Sequence, residues 1–254
     1  MNENSPSESF PTTRLPDWRL VGLLLCVTAG LGLAAILNVE PLLSANDRSR
    51  WATVWSLGVK DTYQIDEIIQ YPGWDTIDKV RHEDHFYSTK PPLFPTMVAW
   101  LYRSVKSVIG WRFPGDVEGL PEDAKPPNDT RAIVRTILVI VNLIPMLIAI
   151  GLLAWFLPRY TSSRATLWLL LLIAAFGTFL STYIVTLNNH TVAAVSVVFS
   201  LIPTALIVSD GKRHPLLFMT AGLFAAFACT NELPAALWGV TVFGLLVWKS
   251  PKST

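Results

Sequence analysis

Charge is scarce in this sequence. Only 15% of its 254 residues are Asp, Glu, Lys or Arg, while 51% are hydrophobic. A water-soluble domain carries about a quarter charged residues, so the composition excludes an ordinary soluble enzyme and points to a membrane-embedded chain. The net charge of +1 leaves no cationic excess for a polyanion and argues against a nucleic-acid partner. Cysteine is nearly absent. Cys26 and Cys229 each fall inside an apolar run and read as small core residues, so neither a disulfide framework nor a cysteine metal pair is expected. A glycine-rich phosphate loop, HExxH and a Ser/His/Asp signature are also missing, which leaves a soluble nucleotide-using enzyme without support.

What the chain has instead is long apolar runs. Residues 20–37 carry no charge and are just long enough to cross a bilayer core. They read as a retained anchor rather than a cleaved signal peptide, because no small-x-small cleavage site follows. Further runs cover residues 92–109, 133–157, 165–187, 191–208, 216–228 and 233–248. In lipid such segments must be helices, since an open sheet would leave backbone groups unpaired. The expected fold is therefore all-α and polytopic, with six or seven hydrophobic segments. Residues 1–19, polar and rich in Ser, Pro and Thr, read as a disordered cytoplasmic tail, 20–248 as the membrane domain and 249–254 as a short polar tail. Arg14 and Arg19 precede the first span and favour a cytoplasmic N-terminus. That makes the expectation a multi-pass protein of the plasma (inner) membrane.

One segment differs in character. Residues 38–91 are rich in acids, aromatics and helix breakers, and a loop of this length is usually functional. Residues 48–59 have the spacing of an amphipathic interfacial helix, with Trp51, Val54, Trp55 and Gly58 on one side. Asp47 lies a few residues past the first span, either as a carboxylate able to take a proton or, with Asn46, as the cap of that helix. At the far end of the loop Lys90 precedes two prolines. It reads as a point charge for a lipid phosphate or as a snorkelling lysine at a helix entrance. Asn188-Asn189-His190 and Asn231-Glu232 are polar corners in apolar sequence, readable as helix ends or as substrate-binding groups. The run His82-Glu83-Asp84-His85 reads as a solvated turn, because adjacent side chains seldom converge on one ion.

The ordered set of "NDRSRWATVWSL", "YSTKPPL" and "FGTFLSTYIVTLNNHTVAAVSVV" resembles the GT-C superfamily of membrane glycosyltransferases. Within it the likeness is to the ArnT-like and protein-mannosyltransferase-like, family 39-type branch, of which this chain would be the N-terminal half. The resemblance implies transfer of a sugar from a polyprenyl-phosphate donor to a lipid, glycan or protein acceptor outside the cytoplasm. Asp47 would be the general base and Lys90 would contact the donor phosphate. Trp51, Trp55, Tyr87, Asn189, His190 and Glu232 would line the substrate. The other partners would be membrane lipids, and no cofactor would be required. Two departures bear on a metal role. Arg48 stands where a second acid often follows the loop-one Asp, and Asn189 or His190 stands where many members have an Asp. An inactive or truncated relative that binds lipid phosphate or an assembly partner is the alternative. One topological condition follows. Three apolar segments separate the first loop from the Asn188 corner, so the two meet only if one does not cross. Residues 92–109, interrupted by Arg103 and Lys106, are the expected exception.

Overall fold

The computed structural model describes residues 16–121 and 125–249. Most of the tail expected over residues 1–19, including Arg14, and all but the first residue of the tail expected over 249–254 lie outside these residues. The described chain is mostly helical. Among the described residues four helices are long and apolar enough to cross a membrane: Trp18–Asn38, Thr130–Arg159, Arg164–Tyr183 and Asn189–Val208. Two shorter apolar helices, Pro215–Asn231 and Leu233–Lys249, follow. Helix α1 (Trp18–Asn38) starts on the Asp17 side chain, which accepts from the Arg19 N–H. Large side chains such as Leu23, Leu31, Leu169, Leu172, Val240 and Phe243 stay exposed. An apolar surface this extensive suits lipid and not water. Cys26 shares that exposure, and Cys229 is half-buried, so the reading of both as core residues is corrected. Cys26 lies on the outward face of α1 because the helix has apolar side chains all round.

Helix α2 (Ala45–Lys60) begins one turn earlier than its amphipathic spacing predicts. Its cap is Ser44, whose Oγ accepts from the Asp47 N–H at 3.2 Å, not Asn46 or Asp47. The pattern Ser-x-x-acid fits a helix start, with Asp47 in the positive first turn. Asp61, in a left-handed conformation, ends the helix. Nor does α2 lie flat on a surface: Trp51 to Ser56 are consecutively buried. A hairpin of β1 (Lys79–His82) and β2 (His85–Ser88) covers one side, and its two-residue turn places Glu83 and Asp84 at positive φ. Ser49 ties helix to hairpin through the Asp78 carbonyl at 2.6 Å and Ser88 Oγ at 2.7 Å.

Helix α3 (Leu93–Ile109) covers another side of α2. Phe94, Val98, Tyr102 and Val105 form one buried stripe at helical spacing, while Trp100, Arg103 and Ser104 face out. This strongly amphipathic helix, 17 residues long, is not among the spanning candidates. Arg103 caps α2 by donating to the Leu57 carbonyl and Asp61. The Tyr102 hydroxyl donates to the buried Asp116, which also takes Lys106 at 2.8 Å. At Gly58 the two helices approach so closely that a Cβ would sit 2.5 Å from Tyr102 Cδ1. Gly58→Ala is therefore expected to lower thermal stability by about 1–3 kcal/mol, the usual cost of overpacking, as read by a melting shift in detergent.

The next helix runs as α4 (Thr130–Leu138), a π-turn (Val139–Leu143) and α5 (Ile144–Phe156), closed by a 3-10 turn to Arg159. Pro145 explains the π-turn. It has no N–H for the Val141 carbonyl, and Ile144 instead bonds Val139, five residues back. Helix α6 (Arg164–Phe176) breaks at Gly177, and the short α7 (Leu180–Tyr183) leads into an unwound stretch. The apolar run over residues 165–187 is thus helical as far as Tyr183, with a break at Gly177, and unwound over its last four residues. Helix α8 (Asn189–Val208), α9 (Pro215–Asn231) and α10 (Ala236–Lys249) pack as an up-and-down group.

Candidate functional site

The N-terminus of α2 meets the corner between α7 and α8. The Leu187 N–H donates to Asp47 Oδ1 at 2.7 Å, and the Leu43 N–H donates to Oδ2 at 3.1 Å. The first loop and the Asn188 corner therefore meet. Between them in sequence lie α3, which packs along α2, and the apolar helices Thr130–Arg159 and Arg164–Tyr183.

Asp47 is only 3% exposed. Burial is the dominant influence on its carboxyl and pushes the pKa from 3.8 up to about 6. The Leu187 and Leu43 N–H groups and the Arg50 charge restrain that rise, with a smaller contribution from the Trp51 indole. The indole lies near the carboxylate yet falls short of hydrogen-bond geometry, and Trp51 Nε1 has no partner. A carboxyl with a pKa near 6 can both hold and release a proton around neutral pH.

Arg50, one turn along α2, is the residue that joins the pieces. Its buried Nε donates to Asn189 Oδ1 at 2.6 Å, and Nη1 donates to the Asn46 carbonyl at 3.1 Å. Asn189 passes the connection on, donating to Asn231 Oδ1 at 3.2 Å. The neighbours of these two amides then pair in turn: His190 Nδ1 lies 2.9 Å from Glu232 Oε1. Asn189 and Asn231 are buried, whereas His190 is exposed and Glu232 partly so. The two polar corners thus form one ladder, with a closed rung at the amides and an open rung at the imidazole. Burial lowers the Arg50 pKa, and Asp47, Glu232 and Asp78 act against that.

Lys90 stands on the hairpin side. Its Nζ is 2.5 Å from Asp78 Oδ2, both side chains being about one-fifth exposed. Burial pushes the Asp78 carboxyl up, but hydrogen bonds from Lys90 and Thr89 outweigh it and hold the pKa below its usual value. Lys90, Tyr87, Tyr63, Thr53, Ser88 and Pro92 line a cavity of about 220 Å³. Tyr87 thus shares the wall of this cavity with Lys90. Trp51 and Trp55 lie elsewhere. Both are fully buried, Trp51 edge-on to Phe113 and Trp55 donating to the Pro114 carbonyl at 2.7 Å. The reason is the second layer over α2, supplied by α3 and residues 111–116. That layer makes these rings the core of the outer part.

The sequence reading passed over Arg50 and Asp78. Arg50 had a usable signal, three residues from Asp47 and so on the same helix face. Asp78 had none, because its partner Lys90 arrives only through the hairpin. Among the described residues no group of three His, Cys, Asp or Glu side chains is placed to hold a metal ion. His82 to His85 form the exposed hairpin turn. The chain matches no family model, no curated protein and no solved structure.

Proposed function

We propose that this chain is a multi-pass membrane glycosyltransferase of GT-C-like architecture. It would move a sugar from a polyprenyl-phosphate donor to a lipid, glycan or protein acceptor on the extracytoplasmic side, with its N-terminus in the cytoplasm of a plasma (inner) membrane. The observation that carries this reading is the convergence of Asp47, Arg50, Asn189, His190 and Glu232 at one end of the helices, with the Lys90 cavity on the same outer segment.

In this reading the donor's phosphate enters beside Lys90 and takes the place of Asp78 on its ammonium group. The acceptor hydroxyl gives its proton to Asp47 while its oxygen bonds to the anomeric carbon. The bond from that carbon to the phosphate oxygen breaks, and the departing polyprenyl phosphate gains a negative charge. Lys90 offsets that charge where it develops, which is the most effective place for a fixed cation. Asp47 is enclosed, so the acceptor reaches it only when the Leu43 or Leu187 N–H lets go. Tyr87, His190 and Glu232 supply the polar surface that meets the sugar, and the buried Asn189 holds Arg50 behind them. No step is routed through a metal.

The test is transfer from a radiolabelled polyprenyl-phosphate sugar in proteoliposomes. Absence of transfer across donor sugars and acceptors would remove the reading. Lys90→Ala is expected to weaken binding of polyprenyl phosphate about 10-fold to 100-fold, the worth of one charge-assisted hydrogen bond, with Lys90→Arg close to wild type. A second reading, lipid-phosphate binding without transfer, is favoured by one observation: both Asp47 oxygens already accept backbone N–H groups. It predicts Lys90-dependent binding with no turnover.

A further inference from the structure

Asn142 sits in the middle of an apolar helix, fully buried, in the π-turn that precedes Pro145. Its Nδ2 donates two hydrogen bonds, to the Ile184 carbonyl at 3.0 Å and the Thr186 carbonyl at 2.9 Å. These carbonyls belong to the unwound stretch between α7 and α8, where no helix supplies partners. The next N–H along, that of Leu187, is the one that donates to Asp47. From the other side Asn188 holds the same stretch, donating to the Tyr183 and Thr186 carbonyls while its Oδ1 accepts from the Thr191 N–H. Asn142 Oδ1, by contrast, is buried without a partner. An unsatisfied buried acceptor costs stability. A leucine at this place would avoid the cost within the helix but would leave the Ile184 carbonyl without its side-chain donor and the Thr186 carbonyl with Asn188 alone.

We infer that Asn142 is the positioning residue for Asp47: it fixes the Ile184–Thr186 backbone so that the Leu187 N–H is held on the carboxylate. The π-turn is part of this device. Without the extra residue in that turn, the side chain at 142 would rotate away from the corner. The effect on Asp47 has a definite sign. The Leu187 bond stabilises the ionised carboxylate, so loosening it raises the pH at which Asp47 releases its proton. The charged group acting on Asp47 is Arg50 of α2. Glu232 and Asp78 reach it only through Arg50, with His190 beyond Glu232. The hydrogen bonds of Asn142 go to Ile184 and Thr186 and to none of these groups. The catalytic meaning of the inference rests on the transfer reading above, but the hold on Asp47 does not.

The experiment is labelling of Asp47 by dicyclohexylcarbodiimide, which attacks protonated carboxyls in apolar surroundings, read by peptide mass spectrometry across pH in nanodiscs. It needs neither donor nor acceptor. In Asn142→Leu the labelling midpoint is expected to rise by about one pH unit, the scale of one lost hydrogen bond to a carboxylate. Asn142→Ser, which keeps one donor and a smaller volume, is expected to shift it less and carries the test if the leucine variant does not fold. A midpoint equal to wild type in a folded variant overturns the inference. With active protein, the acid limb of the transfer profile is expected to move with the midpoint. A shifted midpoint with an unmoved limb supports the hold on Asp47 and removes Asp47 as the base.

Discussion

Asp47→Asn is expected to lower sugar transfer by about 10²–10⁴-fold, the contribution of a positioned general base. Binding of polyprenyl phosphate at Lys90, on the hairpin side, is expected to stay within twofold of wild type. The pH dependence has two parts. With Asp47 as the base of the proposed reaction, transfer would need the ionised carboxylate, so its rate should climb as pH rises through about 6, where burial has placed the Asp47 pKa. Stability runs the other way. Asp47 binds its proton more tightly in the folded chain than at its ordinary value of 3.8, so the folded state holds the extra proton between these values. Its contribution is complete below 3.8 and is lost as pH rises through about 6, to the extent of roughly 3 kcal/mol. In the asparagine variant that slope should vanish, leaving a melting temperature nearly flat from pH 4 to 7. Wild-type turnover in Asp47→Asn would end the assignment of the base. A retained slope would show that another group titrates in this window.

Arg50→Met should have the second-largest effect, and on the fold itself. The guanidinium is bonded at once to the α2 backbone and to the Asn189 side chain. Removing it leaves Asp47 without its nearby countercharge and Asn189 Oδ1 without its donor. Breaking a buried charged arrangement by deleting one partner costs about 3–5 kcal/mol. In a protein of this size that lowers the melting temperature by about 10 °C. Arg50→Lys should recover little, because a lysine ammonium cannot reproduce the Nε bond and the Nη1 bond in the same plane. Arg50→Met combined with Asp47→Asn should cost clearly less than the two effects added, since the asparagine no longer needs a countercharge. Strict additivity would mean that the two groups do not interact.

Much of this arrangement is legible in the residues. The apolar runs mark the helices, and Arg103 with Lys106 marks α3 as an amphipathic one. Pro145 marks the π-turn. Ser44-Ala-Asn-Asp47 carries a helix-start pattern as plain as the one first read at Asn46 and Asp47. Polar residues at 188–190 and 231–232 stand out because the sequence around them is apolar. What the residues do not display is pairing at a distance. Asn189 and Asn231 meet because α8 and α9 lie antiparallel, and neither corner carries a mark of the other. Trp51 and Trp55 have the appearance of interfacial rings. They are enclosed because residues 111–116 fold back over α2, a tertiary event with no local signature. Lys90 looks like a free cation for the same reason, since Asp78 is brought to it by the hairpin register.

The bonds that define the corner span 140 positions from Leu187 to Asp47 and 139 from Arg50 to Asn189. During synthesis the first members of both pairs are made long before the second. Until the stretch after α7 is in place, Asp47 lacks the Leu187 N–H and Arg50 lacks the Asn189 side chain. Contacts so far apart in the chain also form late, because the entropy of closing the loop must be met first. The raised pKa of Asp47 thus belongs to the assembled corner, since one of the two N–H groups on its carboxylate comes from Leu187.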